Sequence, residues 1–405
     1  MTGLIDLRIE RPVAGGRMLA RHEGQVVFVS GAIPGERVRV RVERRVKNTL
    51  FATTVEVLEA SADRREPICD AACGGLSFAH VQYARQLALK SAIVADAFQR
   101  IARITLPEPA VSPSSETGYR LRARLHVRKG RAGFFREGTH DWCDAGPTGQ
   151  LLPESLEAAA EAVRALGADA LLCEAVVVSE NVAANERALL LEPVPDGRLP
   201  ARADARTEVS DTAATLFGAD PPIDPGVTWT RHVRSFFQGN RYLTGDLVRY
   251  VLAQAPGDRC LDLYAGVGLF AVALAARGSR VVAVEGDEFS ARDLAVNAEP
   301  WGDRLRTIRA AVEEASTVDR LGGAPDVVVL DPPRTGLSPR ALQRVIDCHA
   351  PRIVYVSCDP PTLARDAAAL AKHGFAVESA QAFDLFPNTP HVEVVVSFAS
   401  ERPAR

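Results

Sequence analysis

Three residues in the C-terminal half carry groups that could do chemistry together. Cys358 closes the apolar run RIVYVS within YVSCDPPTLARD, residues 355–366. Asp331 closes another run in VVVLDPPRTGL, and Glu393 stands inside a third, VEVVVSF. A thiol at a strand exit is a potential nucleophile, although a lone cysteine there is more often a small packing residue. A carboxylate in an apolar run is costly to bury, so Glu393 either faces water from an edge strand or is employed. Asp331 falls where a strand of an open α/β sheet ends, the edge at which such folds bind ligands. Pro332 and Pro333 stiffen its turn and remove two N–H donors that would otherwise need partners.

A binding element lies upstream. The strand-like CLDLY runs into AGVGLFAVALA, a glycine-containing turn that opens a helix. Gly266 and Gly268 let the backbone approach a ligand where a Cβ would obstruct it. Ala271 stands where a dinucleotide fingerprint has its third glycine, which disfavours a pyrophosphate cradle and favours a nucleoside without phosphates. Glu285 ends the next strand, in place to accept hydrogen bonds from both ribose hydroxyls. The alternative is a plain strand–turn–helix with a surface glutamate. Together these features point to S-adenosylmethionine.

The elements that must position these groups follow from the pattern of the chain. From about residue 228, the runs CLDLY, RVVAVE, PDVVVLD and RIVYVS alternate with helical segments, which predicts an open, mostly parallel α/β layer. Residues 1–60 read as short strands, and GERVRVRVERR alternates Arg37, Arg39 and Arg41 with Val38, Val40 and Val42. YRLRARLHVRKG repeats the pattern, setting Arg120, Arg122, Arg124, His126 and Arg128 opposite Leu121, Ala123, Leu125 and Val127. Two arginine-faced strands predict a phosphate-tracking surface; the plainer reading is a solvated strand face. Helical patterns follow REPICDAACGG and span SLEAAAEAVRALGA, with apolar runs near 173–179 and 187–192. PVPDGRLPARADAR and GADPPIDPG read as loops.

Composition bounds the class. The chain has 405 residues, 47% hydrophobic and 24% charged, enough for two or three domains with a sizeable core. The stretch MTGLIDLRIERP has no apolar segment of the signal-peptide kind. LDLYAGVGLFAVALAARG is broken by Asp262 and glycines, against a membrane span. A net charge of −3 excludes a generic polyanion binder, so nucleic-acid affinity must come from local patches. Seven cysteines without a regular framework suggest a reducing cytosol and thiols kept for chemistry or packing.

In order along the chain, SFFQGN, LDLYAGVG, VVAVEGDE, LDPPRTG, YVSCDPPTLARD and FPNTPHVEVV resemble the motifs of the RNA uracil-5-methyltransferases, which make 5-methyluridine in rRNA and tRNA. Residues 1–60 resemble a TRAM domain, the small β-barrel of several rRNA-acting members. The resemblance implies an N-terminal TRAM-like barrel (1–60) that binds RNA, a central α+β domain (61–227) and a Rossmann-like S-adenosylmethionine methyltransferase domain (228–405). It implies Cys358 as covalent catalyst on uracil C6 and Glu393 as the base that removes the C5 proton. Gln238, Tyr264, Gly266, Glu285 and Asp331 are then cofactor-binding. The expected partner is RNA, rRNA rather than tRNA, on a flipped-out base, with the protein a cytoplasmic monomer that does not enter membranes.

The chain departs from the family at the cysteines with which many relatives hold an iron–sulfur cluster. In CDAACGGL, Cys69 and Cys73 are closer together than in relatives, and Leu76 stands at the third ligand position. No cysteine lies between Thr148 and Pro153, where the fourth is expected, and Cys143 belongs to a different local pattern. Neither a cluster nor zinc is expected. Ala265 and Leu269 replace the cysteine and asparagine frequent in relatives. Two other functions compete: methylation of an exocyclic amine through DPPR, although Arg334 stands where those enzymes place a stacking aromatic, and a catalytically idle RNA-binding assembly factor.

Overall fold

The computed structural model describes residues 4–194, 206–315 and 317–401. Most of the expected loop PVPDGRLPARADAR, and the first three residues of the N-terminal stretch, lie outside the described residues. The chain opens with β1 (Leu4–Pro12), β2 (Met18–His22), β3 (Gln25–Ser30), β4 (Arg37–Val46) and β5 (Thr49–Glu59), which close into a barrel in the order β1-β2-β3-β5-β4. The predicted alternation holds in β4, where Val38 and Val40 are fully buried in the barrel core. Its arginines face outward, with Arg39 bridging Asp6 and Glu56.

Next come α1 (Tyr83–Ala97), β6 (Val111–Ser112), β7 (Arg122–Arg128), β8 (Arg131–Phe135), β9 (Trp142–Cys143), α2 (Pro153–Arg164), β10 (Cys173–Glu180) and β11 (Arg187–Pro193). Five of these strands form a sheet in the order β11-β10-β7-β8-β9, and α2 covers one face. Ala123, Leu125 and Val127 turn inward beneath it, while Leu121, just before β7, is buried in the core of the large C-terminal sheet. Then follow β12 (Glu208–Thr212), α3 (Ala213–Phe217) and β13 (Thr228–His232), with β12 and β13 paired across residue 227.

The remaining elements are α4 (Thr244–Gln254), β14 (Arg259–Leu263), α5 (Leu269–Ala276), β15 (Arg280–Glu285), α6 (Glu288–Ala298), β16 (Leu305–Arg309), α7 (Val318–Leu321), β17 (Val327–Leu330), α8 (Pro339–Asp347), β18 (Arg352–Ser357), α9 (Pro360–Lys372), β19 (Phe375–Phe383) and β20 (Glu393–Ser400). Among the described residues the sheet order is β16-β15-β14-β17-β18-β20-β19-β6. Strands β14 to β18 run parallel, and β20 enters antiparallel beside β18. The central strands are largely apolar on both faces because helices cover both sides, and β17 is fully buried along its length. The chain moves outward from β14 through β15 to β16, then returns to β17 on the other side. That reversal opens a crevice at the carboxyl ends of β14 and β17. The small strand β6, from the segment before the central sheet, completes the far edge beside β19.

Candidate active site

The crevice holds a cleft of about 600 Å³, within the usual size of a small-molecule pocket. All seven residues picked from the sequence line it: Gln238, Tyr264, Gly266, Glu285, Asp331, Cys358 and Glu393. The register explains how. Glu285 ends β15, Asp331 follows β17 and Cys358 follows β18, so three parallel strands deliver them to one edge. Antiparallel β20 begins at that same edge. Ser357 pairs with Val394, which sets Glu393, one residue earlier, across from Cys358, one residue later. Glu393 is only 4% exposed and lies on a central strand, so the water-facing edge reading fails.

One half of the cleft is shaped by the backbone of the turn after β14. Tyr264 adopts a left-handed φ of 63°, a costly conformation for a non-glycine residue. Gly266, at φ 57°, has nothing within 4 Å of where a Cβ would stand, leaving the turn open to the cleft. Glu285 is clamped by two amides: Gly266 donates to Oε2 at 2.7 Å and Asp287 to Oε1 at 2.6 Å. A carboxylate has about four acceptor positions, so two remain for a diol. Gln238 donates to Asp331 Oδ2 at 3.1 Å and leaves the other carboxylate oxygen available to a ligand.

The catalytic half is crowded with acids. Burial pushes the Asp331 carboxyl up to about 7, helped by the charge of Glu285 and opposed by the Gln238 hydrogen bond. Burial, then Asp331, raises Glu393 well above the ordinary carboxylate range, while the Arg334 guanidinium opposes the shift. Cys358 is pushed up to about 11 by burial and by Glu393, again against the Arg334 guanidinium. Deeper in the sheet, Asp262 is fully buried with neither carboxylate oxygen hydrogen-bonded among the described residues; burial, with Asp331 nearby, raises its carboxyl well above the ordinary range. Burial and mutual repulsion thus favour the protonated forms of these groups, and the Arg334 guanidinium opposes the shifts at Glu393 and Cys358.

Residues 224–401 match the family described as tRNA (Uracil-5-)-methyltransferase, and residues 5–55 match the TRAM domain. A 23S rRNA (uracil(1939)-C(5))-methyltransferase of Azoarcus sp. (strain BH72) is 34% identical over 431 residues, covering 96% of this chain and 97% of its own. The chain belongs to the RNA uracil-C5 methyltransferase family. An uncharacterized RNA methyltransferase of Streptomyces coelicolor is also 34% identical, over 95% of this chain and 90% of its own. The solved Pyrococcus abyssi tRNA (uracil-54, C5)-methyltransferase, in complex with S-adenosyl-L-homocysteine, superposes with a TM-score of 0.75 at 26% identity, over 97% of this chain and 99% of that one.

Three site features escaped the sequence reading. Arg334 entered only as a missing aromatic, yet it is the cation facing Cys358 and Glu393. Phe386 lines the cleft, and its segment is gripped from two sides. Lys90 of α1 donates to the Phe386 carbonyl at 3.1 Å, while Asn240 donates to that of Leu385 at 3.0 Å. Lys90 also forms a fully buried ion pair with Asp384. The signal for Lys90 was a cation in an otherwise apolar helix, ALKSAIV, which has the same logic as Glu393.

Two expectations need correction. The arginines of the second strand are used by the fold and do not form an open phosphate track. Arg120 hydrogen-bonds Gln150 and lies over Phe134; Arg122 donates to the carbonyls of Val233 and Arg234. Arg124 sits between Glu192 at 2.6 Å and Glu174 at 2.8 Å. Alternation predicted the face correctly but not its neighbours. The expectation of free thiols fails at Cys73 and Cys143, which form a disulfide with Cα atoms 6.0 Å apart. Both sulfurs are thereby spent, and Cys69 is left as a half-buried free thiol. This set does not fit an iron–sulfur cluster.

Proposed function

We propose that the protein methylates C5 of a uridine in 23S rRNA, with S-adenosylmethionine as the donor. The observation that carries this reading is the strand register that opposes Cys358 and Glu393 in the cleft that also holds Glu285 and Asp331. Gln238, Tyr264, Gly266, Glu285 and Asp331 are assigned to the cofactor, with Glu285 on the ribose diol. When bound, the cofactor supplies an electrophilic methyl group beside C5. Uracil C5 is too weak a nucleophile to take it unaided. Cys358 as thiolate forms a bond to C6, and the electrons of the C5–C6 double bond move into an enolate, which makes C5 nucleophilic. Formation of the thiolate releases its proton, and the Arg334 guanidinium beside the thiol favours that charged form. After C5 is methylated, Glu393 removes the C5 proton, the double bond reforms, and the C6–sulfur bond breaks to release the thiolate.

The rRNA preference is supported by the relatives that match over nearly the full chain and are named 23S rRNA methyltransferases, such as those of Azoarcus and Pseudomonas putida at 34% and 33% identity. No helix among the described residues is long and apolar enough to cross a membrane. We assign the protein to the cytoplasm as a monomer.

Unmodified rRNA from cells lacking this gene is the test substrate. Cys358→Ala should abolish methyl transfer, whereas Glu393→Gln should still attack and then stall, leaving RNA attached to the protein. RNA carrying 5-fluorouridine should trap the wild-type enzyme as a band sensitive to ribonuclease on a denaturing gel. Methylation of normal RNA by a protein that never traps the fluorinated substrate would reject covalent catalysis by Cys358 and favour amine methylation through the DPPR turn.

A further inference from the structure

A second cleft, of about 420 Å³, lies between the barrel and the helices beside the active site. Its barrel wall includes Arg17, Phe28 and Phe51; its other wall includes Arg100, Ile101 and Pro361. Phe28 and Phe51 are register partners on β3 and β5. Val27, Val29 and Ala52 beside them point into the barrel core, so alternation turns both rings outward, where they are half-buried. The ring centroids are 5.6 Å apart at 54°. Two guanidinium groups approach Phe51, Arg44 at 4.2 Å and Arg17 at 5.5 Å from its centroid. Arg17 is held by the barrel, donating to the carbonyls of Phe28 and Ala52 and facing Glu43 at 3.6 Å, whereas Arg44 is exposed and has no carboxylate partner among the described residues.

This cleft adjoins both catalytic segments. Pro361 is the third residue after Cys358, which limits their separation along the chain to about 10 Å. On the other side, the β1–β2 hairpin packs Gly16 against Pro390, in the loop that leads to Glu393; a Cβ at Gly16 would stand 2.7 Å from the Pro390 ring. Half-buried aromatic faces flanked by arginine suit a base with its phosphate, the combination that proteins use for single-stranded nucleic acid.

We propose that Phe28, Phe51 and Arg44 form a second nucleotide site, which holds an unpaired nucleotide of the substrate strand near the uridine in the catalytic cleft; this rests on the reading of the substrate as RNA. A strand that presents its target base to Cys358 must continue past the walls of the cleft, and the barrel hairpin stands at that wall. The barrel thereby contributes a stacking contact as well as charge.

The test uses the full chain with a short fluorescein-labelled oligouridine, and with unmodified rRNA. Phe51→Leu keeps apolar bulk and removes the aromatic face; it should weaken oligouridine binding by about 5- to 150-fold, the range for loss of one base–aromatic stack. Arg44→Gln should reduce the salt slope of binding by about 1, as for one phosphate contact. Both should raise KM for rRNA and leave kcat at saturating RNA, and S-adenosylmethionine affinity, unchanged. Oligouridine affinity and KM that match wild type in both variants would overturn the proposal. So would an equal loss in Val27→Ala, which only loosens the barrel core. The two readings separate cleanly: oligouridine binding that depends on Phe51, without methyl transfer to rRNA, would sink the activity and keep the site, whereas methyl transfer indifferent to Phe51→Leu would do the reverse.

Discussion

Arg334 should set the reactivity of Cys358, and alkylation with iodoacetamide can measure this without RNA. Only the thiolate reacts, so the rate follows the deprotonated fraction. With the thiol pushed up to about 11, about one molecule in a thousand carries a thiolate at pH 8, against roughly a quarter for an ordinary cysteine near 8.5. The thiolate is the charged form, so a nearby cation favours it and a nearby anion opposes it. Removing the guanidinium in Arg334→Gln should therefore raise the thiol further, and each unit of that rise slows alkylation about tenfold at fixed pH below the midpoint. Glu393→Gln should act in the opposite direction, speeding alkylation at alkaline pH where the wild-type carboxyl is ionised. Mass spectrometry of the peptide containing Cys358 separates it from Cys69, and Cys358→Ala gives the background. A wild-type midpoint near 8.5, or an Arg334→Gln profile that overlays wild type, would refute the electrostatic account of the cleft.

Three further outcomes follow from contacts already described. Glu285→Ala should weaken S-adenosylmethionine binding by about 1.5–3 kcal/mol, as for a charged hydrogen-bond partner, and calorimetry that finds unchanged affinity removes Glu285 from the site. Lys90→Met leaves Asp384 charged in a fully buried position, so urea unfolding should show a loss of about 3–5 kcal/mol, largely relieved when Asp384→Leu is added. Cys73→Ser opens a link between residues 70 apart in sequence, which on loop-closure entropy costs about 4 kcal/mol; a melting temperature unchanged by the substitution and by reductant would show that the link does not form in solution.

The site was more legible than its support, for a physical reason. Parallel strands announce themselves as apolar runs, and ligands of such sheets bind where the runs end, so Asp331, Cys358 and Glu285 could be placed from one-dimensional pattern alone. Glu393 was legible because a buried carboxylate violates the run around it. The arginine strands show the limit of this logic. Period-2 alternation reports which face a side chain takes, but says nothing of what covers that face. Glu174, Glu192, Gln150 and the carbonyls of residues 233 and 234 come from distant parts of the chain and occupy three of those arginines. The Cys73–Cys143 pair was hidden for the same reason, since spacing cannot show that β9 brings Cys143 against the loop of Cys73.

The same contrast explains how a cleft at the sheet edge depends on segments far outside it. Phe386 lies on the connection between β19 and β20 that leads into Glu393, and that connection has little regular structure to hold it. Its anchors come from elsewhere. Lys90 reaches it from α1, Asn240 from the segment before α4, and Gln86 both donates to the Asn388 side chain and accepts from its backbone N–H. Arg65, from the segment that follows the barrel, donates to the same Asn388 side chain at 2.7 Å. Lys90, Asn240 and Gln86 are fully buried, so losing one leaves buried polar groups short of partners, and the cost falls on the loop that leads to Glu393. Helix α1 and the post-barrel segment therefore fix where Glu393 begins its strand, and under the proposed mechanism they act on catalysis although neither supplies a reacting group.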